Sequence, residues 1–307
     1  MHIADRLAQA VLSTGTPLCV GLDPRLEQLP RAMQPSEPTL AAAADAVARF
    51  CMRVIDLIAG RVGVVKPQSA FFELFGPPGL AALQRVQAHA RAAGLVTILD
   101  SKRGDIASTA EAYAQAALGV APVGDQRWPV WDADLLTVNP YLGRDAIEPF
   151  IRTARAHQRG LFVLVRTSNR GAGLFQDLLC DGKPLYRHVA EAVAAWAAES
   201  LGACGLGDVG AVVGATHPAE LAELRAVLPQ VWLLVPGFGA QGGTADDVRA
   251  AFRADGLGAL VNSSRGITFP THPDDPDWEG AITHATTQAI ADLACVTPAL
   301  RNHAGTS

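Results

Sequence analysis

Val96-Thr97-Ile98-Leu99-Asp100-Ser101-Lys102-Arg103-Gly104-Asp105-Ile106 begins as an apolar, β-branched run and passes straight into alternating charge. Its first four residues read as a buried strand. Residues i and i+2 of a strand share a face, so Asp100 and Lys102 are expected to project together from its carboxyl end. Gly104 then lets the chain turn before Asp105. In a barrel of parallel strands that end faces the ligand. Two carboxylates flanking one ammonium can order a proton donor and set negative charge against a substrate.

The lysines sharpen this reading. Only Lys66, Lys102 and Lys183 occur among the 25 basic residues, the rest being arginine. Two of the three fall at predicted strand ends, in Val64-Val65-Lys66-Pro67 and in the run above. An amine can give up a proton near neutral pH when its surroundings tune it, whereas a guanidinium effectively cannot. The plain alternative is an ordinary surface ion pair, and the strand-end placement of both residues argues against it.

Outward from this strand, short apolar runs alternate with Ala-rich amphipathic segments. The predicted strands are Leu18–Leu22, Val62–Lys66, Val96–Asp100, Leu135–Asn139, Leu161–Arg166, Val209–Gly214, Val231–Pro236 and Gly258–Asn262. The predicted helices are Leu40–Ile58, Leu80–Ala93, Ala107–Leu118, Ala146–His157, His188–Leu201, Pro218–Val227, Thr244–Ala254 and Ala281–Ala294. Strict alternation means parallel strands joined by crossovers. Eight such units in 307 residues give a single closed (β/α)8 TIM barrel of class α/β, with a disordered tail after about residue 298. A doubly wound open sheet is the alternative, but no GxGxxG opens the first strand-to-helix turn. Ala121–Asp134 and Leu174–Tyr186 are longer than ordinary connections and suit a lid, a subunit contact or a tolerated insertion.

A net charge of −5 and a pI near 5.9 argue against nucleic-acid and anionic-membrane partners. No apolar run is long enough to span a bilayer, and Met1-His2-Ile3-Ala4-Asp5-Arg6 lacks a secretory pattern. Cys19, Cys51, Cys180, Cys204 and Cys295 are scattered without a CxxC pair, as expected of reduced thiols in the cytoplasm. The eight histidines show no HxxxH or HxH spacing, so neither a metal nor another cofactor is expected.

Barrels often hold phosphate in the loops after strands seven and eight. Here these are Pro236-Gly237-Phe238-Gly239-Ala240-Gln241-Gly242-Gly243-Thr244 and Asn262-Ser263-Ser264-Arg265-Gly266-Ile267. The glycines, Gly239 and Gly242 among them, let backbone N–H groups approach an anion; Gln241 adds a side-chain donor and Arg265 a fork. Other strand ends are also polar. Asp23, in Gly21-Leu22-Asp23-Pro24-Arg25, can accept from sugar hydroxyls or form an Asx turn before Pro24. Asn139 closes the fourth strand. In Arg166-Thr167-Ser168-Asn169, Ser168 and Asn169 suit either a heterocycle's edge or a helix cap.

Asp100-Ser101-Lys102-Arg103-Gly104-Asp105 resembles the DxKxxD signature of the orotidine 5′-phosphate decarboxylases, and Lys66, Asp23, the Gly237–Gly243 loop and Arg265 follow in that family's order. The resemblance runs from about Leu18 to Ile267. Val65-Lys66-Pro67-Gln68, Arg166-Thr167-Ser168-Asn169 and Pro236–Gly243 are most similar to its longer bacterial branch. One departure is Arg170-Gly171-Ala172-Gly173, where a proline or small residue is more familiar after the Asn.

The resemblance implies a metal-free decarboxylation of orotidine monophosphate to UMP, the last step of pyrimidine nucleotide synthesis. It implies that Asp100 lies against the substrate carboxylate, that Lys102 stabilises and protonates the C6 carbanion, and that Lys66 completes a Lys–Asp–Lys–Asp chain. It also implies a homodimer in which Asp105 and Thr109 reach the neighbouring site. Mg²⁺-dependent sugar-phosphate enzymes share the DxKxxD signature, but they need an acid where this chain has Lys66, a cation that repels the metal. A Schiff-base aldolase would need a neutral lysine, which carboxylates at 100 and 105 oppose. A silent nucleotide-binding protein would show a broken charge array, and all four members are present here.

Overall fold

Leu18–Leu22 (β1) shows how the sequence builds the molecule. Leu18, Val20 and Leu22 point outward into a helix-facing layer, whereas Cys19 points inward and packs with Val64, Val96, Ile98, Leu135, Phe162 and Trp232. The computed structural model of the protein describes residues 1–215, 218–239 and 243–302. The other barrel strands are Val64–Pro67 (β2), Val96–Arg103 (β3), Leu135–Val138 (β4), Gly160–Arg166 (β5), Val209–Val213 (β6), Leu233–Pro236 (β7) and Ala259–Ser263 (β8). All neighbouring pairs are parallel, and β8 closes on β1, with Leu18 opposite Val261. This is the expected (β/α)8 barrel.

Alternation carries each inward row up to the carboxyl end of its strand. Below, the rows are apolar. Above, the same rows end in Asp23, Lys66, Asp100, Thr137 and Asn262. Polar groups therefore converge where the barrel's packed interior stops.

The helices Leu40–Ile58, Ala107–Leu118 and Pro218–Val227 have the expected bounds, and the others start or stop within five residues of them. The segment expected as a helix over Thr244–Ala254 is one turn, Ala245–Val248, followed by a 3-10 turn, Arg249–Ala251.

Ile3–Thr14 (α1), which the sequence reading left unassigned, buries Ile3, Leu7 and Val11 among the inward residues. It plugs the end of the barrel opposite the site. Its apolar residues recur at helical spacing and Gly15 ends it at a φ of 66°, so both signals lay in the sequence. The tail expected after about residue 298 does not begin there. Pro298–Asn302 form a 3-10 helix, and the fully buried Leu300 packs against the inward core.

Both long connections contain hairpins. Ala121–Val123 pairs with Gln126–Trp128, and Leu179–Cys180 pairs with Lys183–Pro184. The second turns through Asp181 and Gly182 at φ values of 51° and 78°, the positive pair that an Asp-Gly hairpin favours.

Candidate active site

Strand β3 does not run straight to its end. Leu99 pairs with Leu136 and Arg103 with Val138, so three residues of β3, Asp100 to Lys102, lie against Thr137 alone. Lys102 takes a φ of 48° in this bulge, a conformation costly for a residue with a Cβ. The expected pairing of Asp100 with Lys102 is found, but simple alternation does not produce it. The bulge swings Lys102 so that its Nζ donates to Asp100 Oδ1 at 2.6 Å.

Lys66 reaches the same carboxylate from β2, its Nζ donating to Oδ2 at 2.6 Å. Two neutral groups complete the shell: Gln68 Nε2 donates to Oδ2 at 2.9 Å and Thr137 Oγ1 to Oδ1 at 2.9 Å. A parallel bridge between Gln68 and Asp100 brings the β2 end to that distance. Asp100 therefore accepts four hydrogen bonds, two of them from ammonium groups.

These contacts set the charges. Burial favours the neutral carboxyl of Asp100, but the two lysines outweigh it and hold the group far below the usual carboxylate range. Burial likewise works against the Lys66 ammonium, yet the facing Asp100 and Asp23 carboxylates hold it above the ordinary lysine value. Cys19, on the inward row just below, is pushed up to about 12, chiefly by burial, so it is an inert thiol packing the floor.

The array lies at the base of a cavity of about 450 Å³. Asp23, Arg25, Thr167, Ser168, Asn169, Asn262, Ser264 and Arg265 share its lining, with Phe238 and Phe269 as apolar surface. Asp23 Oδ1 is buried without a hydrogen-bond partner, an acceptor available to a bound hydroxyl. A Cβ at Gly21 would collide with the Ser264 hydroxyl and force that side chain to turn away. Asn262 donates from Nδ2 to that Ser264 oxygen at 3.2 Å.

The turn after β5 is braced from the inserted segment. Gln176 Oε1 accepts from the Thr167 N–H at 3.0 Å, and Gln176 Nε2 donates to Thr167 Oγ1 at 2.8 Å. Thr167 in turn donates to Asn169 Oδ1 at 2.6 Å. Arg166, ion-paired with Glu220 and Asp177, anchors both sides.

The structure brings Lys66, Asp100, Lys102, Asp23, Ser168, Asn169 and Arg265 to one cavity, and among the other described residues it leaves Asn139, Asp105, Thr109 and Gly239 outside that lining. Asn139 does not line the cavity; its Oδ1 accepts from the Tyr141 N–H at 3.0 Å and fixes a turn. Its short acceptor closes the local backbone. Among the described residues Lys66 and Lys102 both pair with Asp100 and neither with Asp105, whose Oδ1 accepts from the Ile106 N–H at 2.8 Å. Thr109 is exposed on the helix that follows.

The Gly239 N–H donates to Gly243 O at 2.9 Å and the Gly243 N–H to Gly237 O at 3.2 Å, so these donors close the loop on itself. Gln241 and Gly242 lie outside the described residues. Arg25, Gln68, Thr137 and Gln176 also belong to the site or its support and are not among the residues expected from the sequence. Gln68 had a usable signal, lying two residues after Lys66 and so on the same face.

Comparison with known proteins agrees with this geometry. Residues 16–275 match the model of the orotidine 5′-phosphate decarboxylase / HUMPS family. An orotidine 5′-phosphate decarboxylase of Rhodopirellula baltica is 52% identical over 302 residues, covering 95% of this chain and 99% of the relative. One from Deinococcus radiodurans is 43% identical over 271 residues, covering 87% and 89%. The solved structure of Leishmania donovani OMP decarboxylase superposes with a TM-score of 0.74 at 34% identity, over 97% of this chain and 99% of that one. With half of its residues shared with one relative and the barrel shared with another, the chain belongs to the orotidine 5′-phosphate decarboxylase / HUMPS family.

Proposed function

We propose that this protein converts orotidine 5′-phosphate to UMP and CO2, the last step of pyrimidine nucleotide synthesis, without a metal or other cofactor. The observation that carries the reading is the Lys66–Asp100–Lys102 array at the floor of a cavity that Arg265 also lines.

In this reading the phosphate lies against Arg265, the ribose hydroxyls against Asp23, and the pyrimidine edge against Ser168 and Asn169. The substrate carboxylate faces Asp100. The bond from C6 to the carboxylate breaks, CO2 leaves, and the electron pair stays on C6. The Lys102 ammonium stabilises that charge and then gives C6 its proton, regaining one from solvent afterwards. The array is fixed before the reaction, so little reorganisation opposes the developing carbanion. Phosphate and ribose contacts remote from C6 supply the binding energy that holds two carboxylates near each other. The buried Lys66 ammonium stands where a divalent ion would need an acid.

Asp105 and Thr109 are assigned to the active site of a second copy, in a homodimer. Within one chain Asp105 follows the end of β3 and Thr109 is exposed in the first turn of the next helix, beside Ile106, which is 55% exposed. Sedimentation should give twice the 32.1 kDa chain mass, and a monomer that is fully active would remove this part of the reading. A cytoplasmic setting fits five free thiols and the absence, among the described residues, of a helix able to cross a membrane.

The deciding assay follows the absorbance loss of orotidine 5′-phosphate with EDTA present. EDTA-resistant turnover is expected; no turnover by the wild type sinks the assignment and points to sugar phosphates with Mg²⁺. Arg265→Ala should raise KM by roughly 10²-fold, the worth of a charge-assisted phosphate contact. A KM within threefold of wild type would place the phosphate elsewhere.

A further inference from the structure

Thr137 is fully buried at the end of β4, opposite the bulge that carries Asp100 and Lys102. Its hydroxyl oxygen accepts from the Ser101 N–H at 3.0 Å and the Lys102 N–H at 2.9 Å. Both lone pairs are then in use, so the hydroxyl proton has one direction left. It points to Asp100 Oδ1, 2.9 Å away.

We infer that Thr137 is a positioning residue for the decarboxylation: its hydroxyl fixes the backbone bulge that aims the Lys102 ammonium and orients Asp100 Oδ1 toward it. The inference rests on the decarboxylase reading above and adds a residue to it. Two facts carry it. Lys102 holds a left-handed backbone, φ 48°, which an L residue leaves unless its surroundings over-determine it. Thr137 Oγ1 is the side-chain acceptor for two successive N–H groups of that bulge, Lys102 its second.

A methyl in place of the hydroxyl removes all three bonds at once while keeping the side chain's shape. It leaves two backbone N–H groups without an acceptor, and these favour relaxation of the bulge to ordinary extended backbone. Relaxation moves the ammonium, whereas the phosphate, ribose and pyrimidine contacts come from β1, β5 and β8 and stay in place. The effect belongs to the chemical step, not to binding. Misplacement by about an ångström costs on the order of 10²-fold in rate.

The test compares Thr137→Val and Thr137→Ser with wild type, using turnover of orotidine 5′-phosphate, affinity for UMP and a crystal structure of the Val variant. Expected are a kcat for Thr137→Val lower by about 10- to 100-fold, UMP affinity within threefold of wild type, and recovery of most of kcat in Thr137→Ser. A merely structural role would weaken UMP binding together with kcat. The inference is overturned by a Val variant with kcat within twofold of wild type, by parallel loss of kcat and UMP affinity, or by a Ser variant as slow as the Val variant. A wild type that does not decarboxylate orotidine 5′-phosphate removes the functional reading instead. The crystal structure then decides alone, because Lys102 keeping its positive φ and its contact with Asp100 in the Val variant overturns the positioning role whatever the reaction.

Discussion

Lys102→Ala should lose turnover of orotidine 5′-phosphate by a factor on the order of 10⁴ or more while binding UMP within about tenfold of wild type. The size follows from two roles resting on one side chain. A positioned proton donor is worth about 10²–10⁴-fold, and a fixed charge aimed at a developing anion about 10²–10³-fold. The other ammonium of the array cannot substitute, because Lys66 donates to the far oxygen of Asp100 and is only 5% exposed. Lys102 reaches the cavity with a side chain 46% exposed, so its loss opens no hole in the core. Asp100 keeps Lys66, Gln68 and Thr137, and the melting temperature should move little. Lys102→Arg separates the roles, since a guanidinium keeps the charge but holds its proton. It should be nearly as slow as Lys102→Ala if proton delivery dominates. An alanine variant within tenfold of wild-type kcat would assign the proton to another group.

How much of this was legible in the sequence depends on the range of the interaction. The barrel rests on periodicities of 2 and 3.6 summed over many residues, and Leu18–Leu22, Leu40–Ile58 and Ala107–Leu118 were readable to the residue. Lys66, Asp100 and Lys102 were readable because charge at a strand's carboxyl end has few structural explanations. Thr137 was not, since an apolar strand tolerates threonine anywhere and only the β3–β4 register shows that it faces a bulge. Gln176 was hidden for a similar reason: it braces Thr167 through an insertion whose path no local pattern dictates. Asn139 shows the ambiguity of a polar residue at a strand end, which serves a turn as readily as a ligand. For Asp105 the single chain shows only a carboxylate bonded to its own backbone, and a role in a neighbouring site rests on the family resemblance.

Asp100→Ala should be the most damaging single change for stability and activity together. It removes the main counter-charge of a buried ammonium, and breaking such a pair costs about 3–5 kcal/mol. Asp100→Asn keeps the shape but not the match. Oδ1 faces Lys102 and Thr137, and Oδ2 faces Lys66 and Gln68, so every neighbour is a donor. Whichever way the amide turns, its NH2 meets two of them. Turnover of the Asn variant should fall by at least about 10³-fold. The pH dependence gives an independent check. The carboxyl of Asp100 is depressed in the folded state, so its stabilisation is complete above the unfolded value, near 4, and is lost as pH falls from there toward the folded value. Lys66 is raised, so its share is complete below the unfolded lysine value, near 10.4, and is lost only as pH rises through the folded one. The stability gap between wild type and Asp100→Asn should therefore shrink as pH falls below 5, by about 1 kcal/mol at pH 3. Urea unfolding of both proteins across that range measures it. A gap that does not shrink between about pH 5 and pH 3 would mean that the two lysines do not hold the Asp100 carboxyl down, and the fixed negative charge set against the substrate would lose its electrostatic basis.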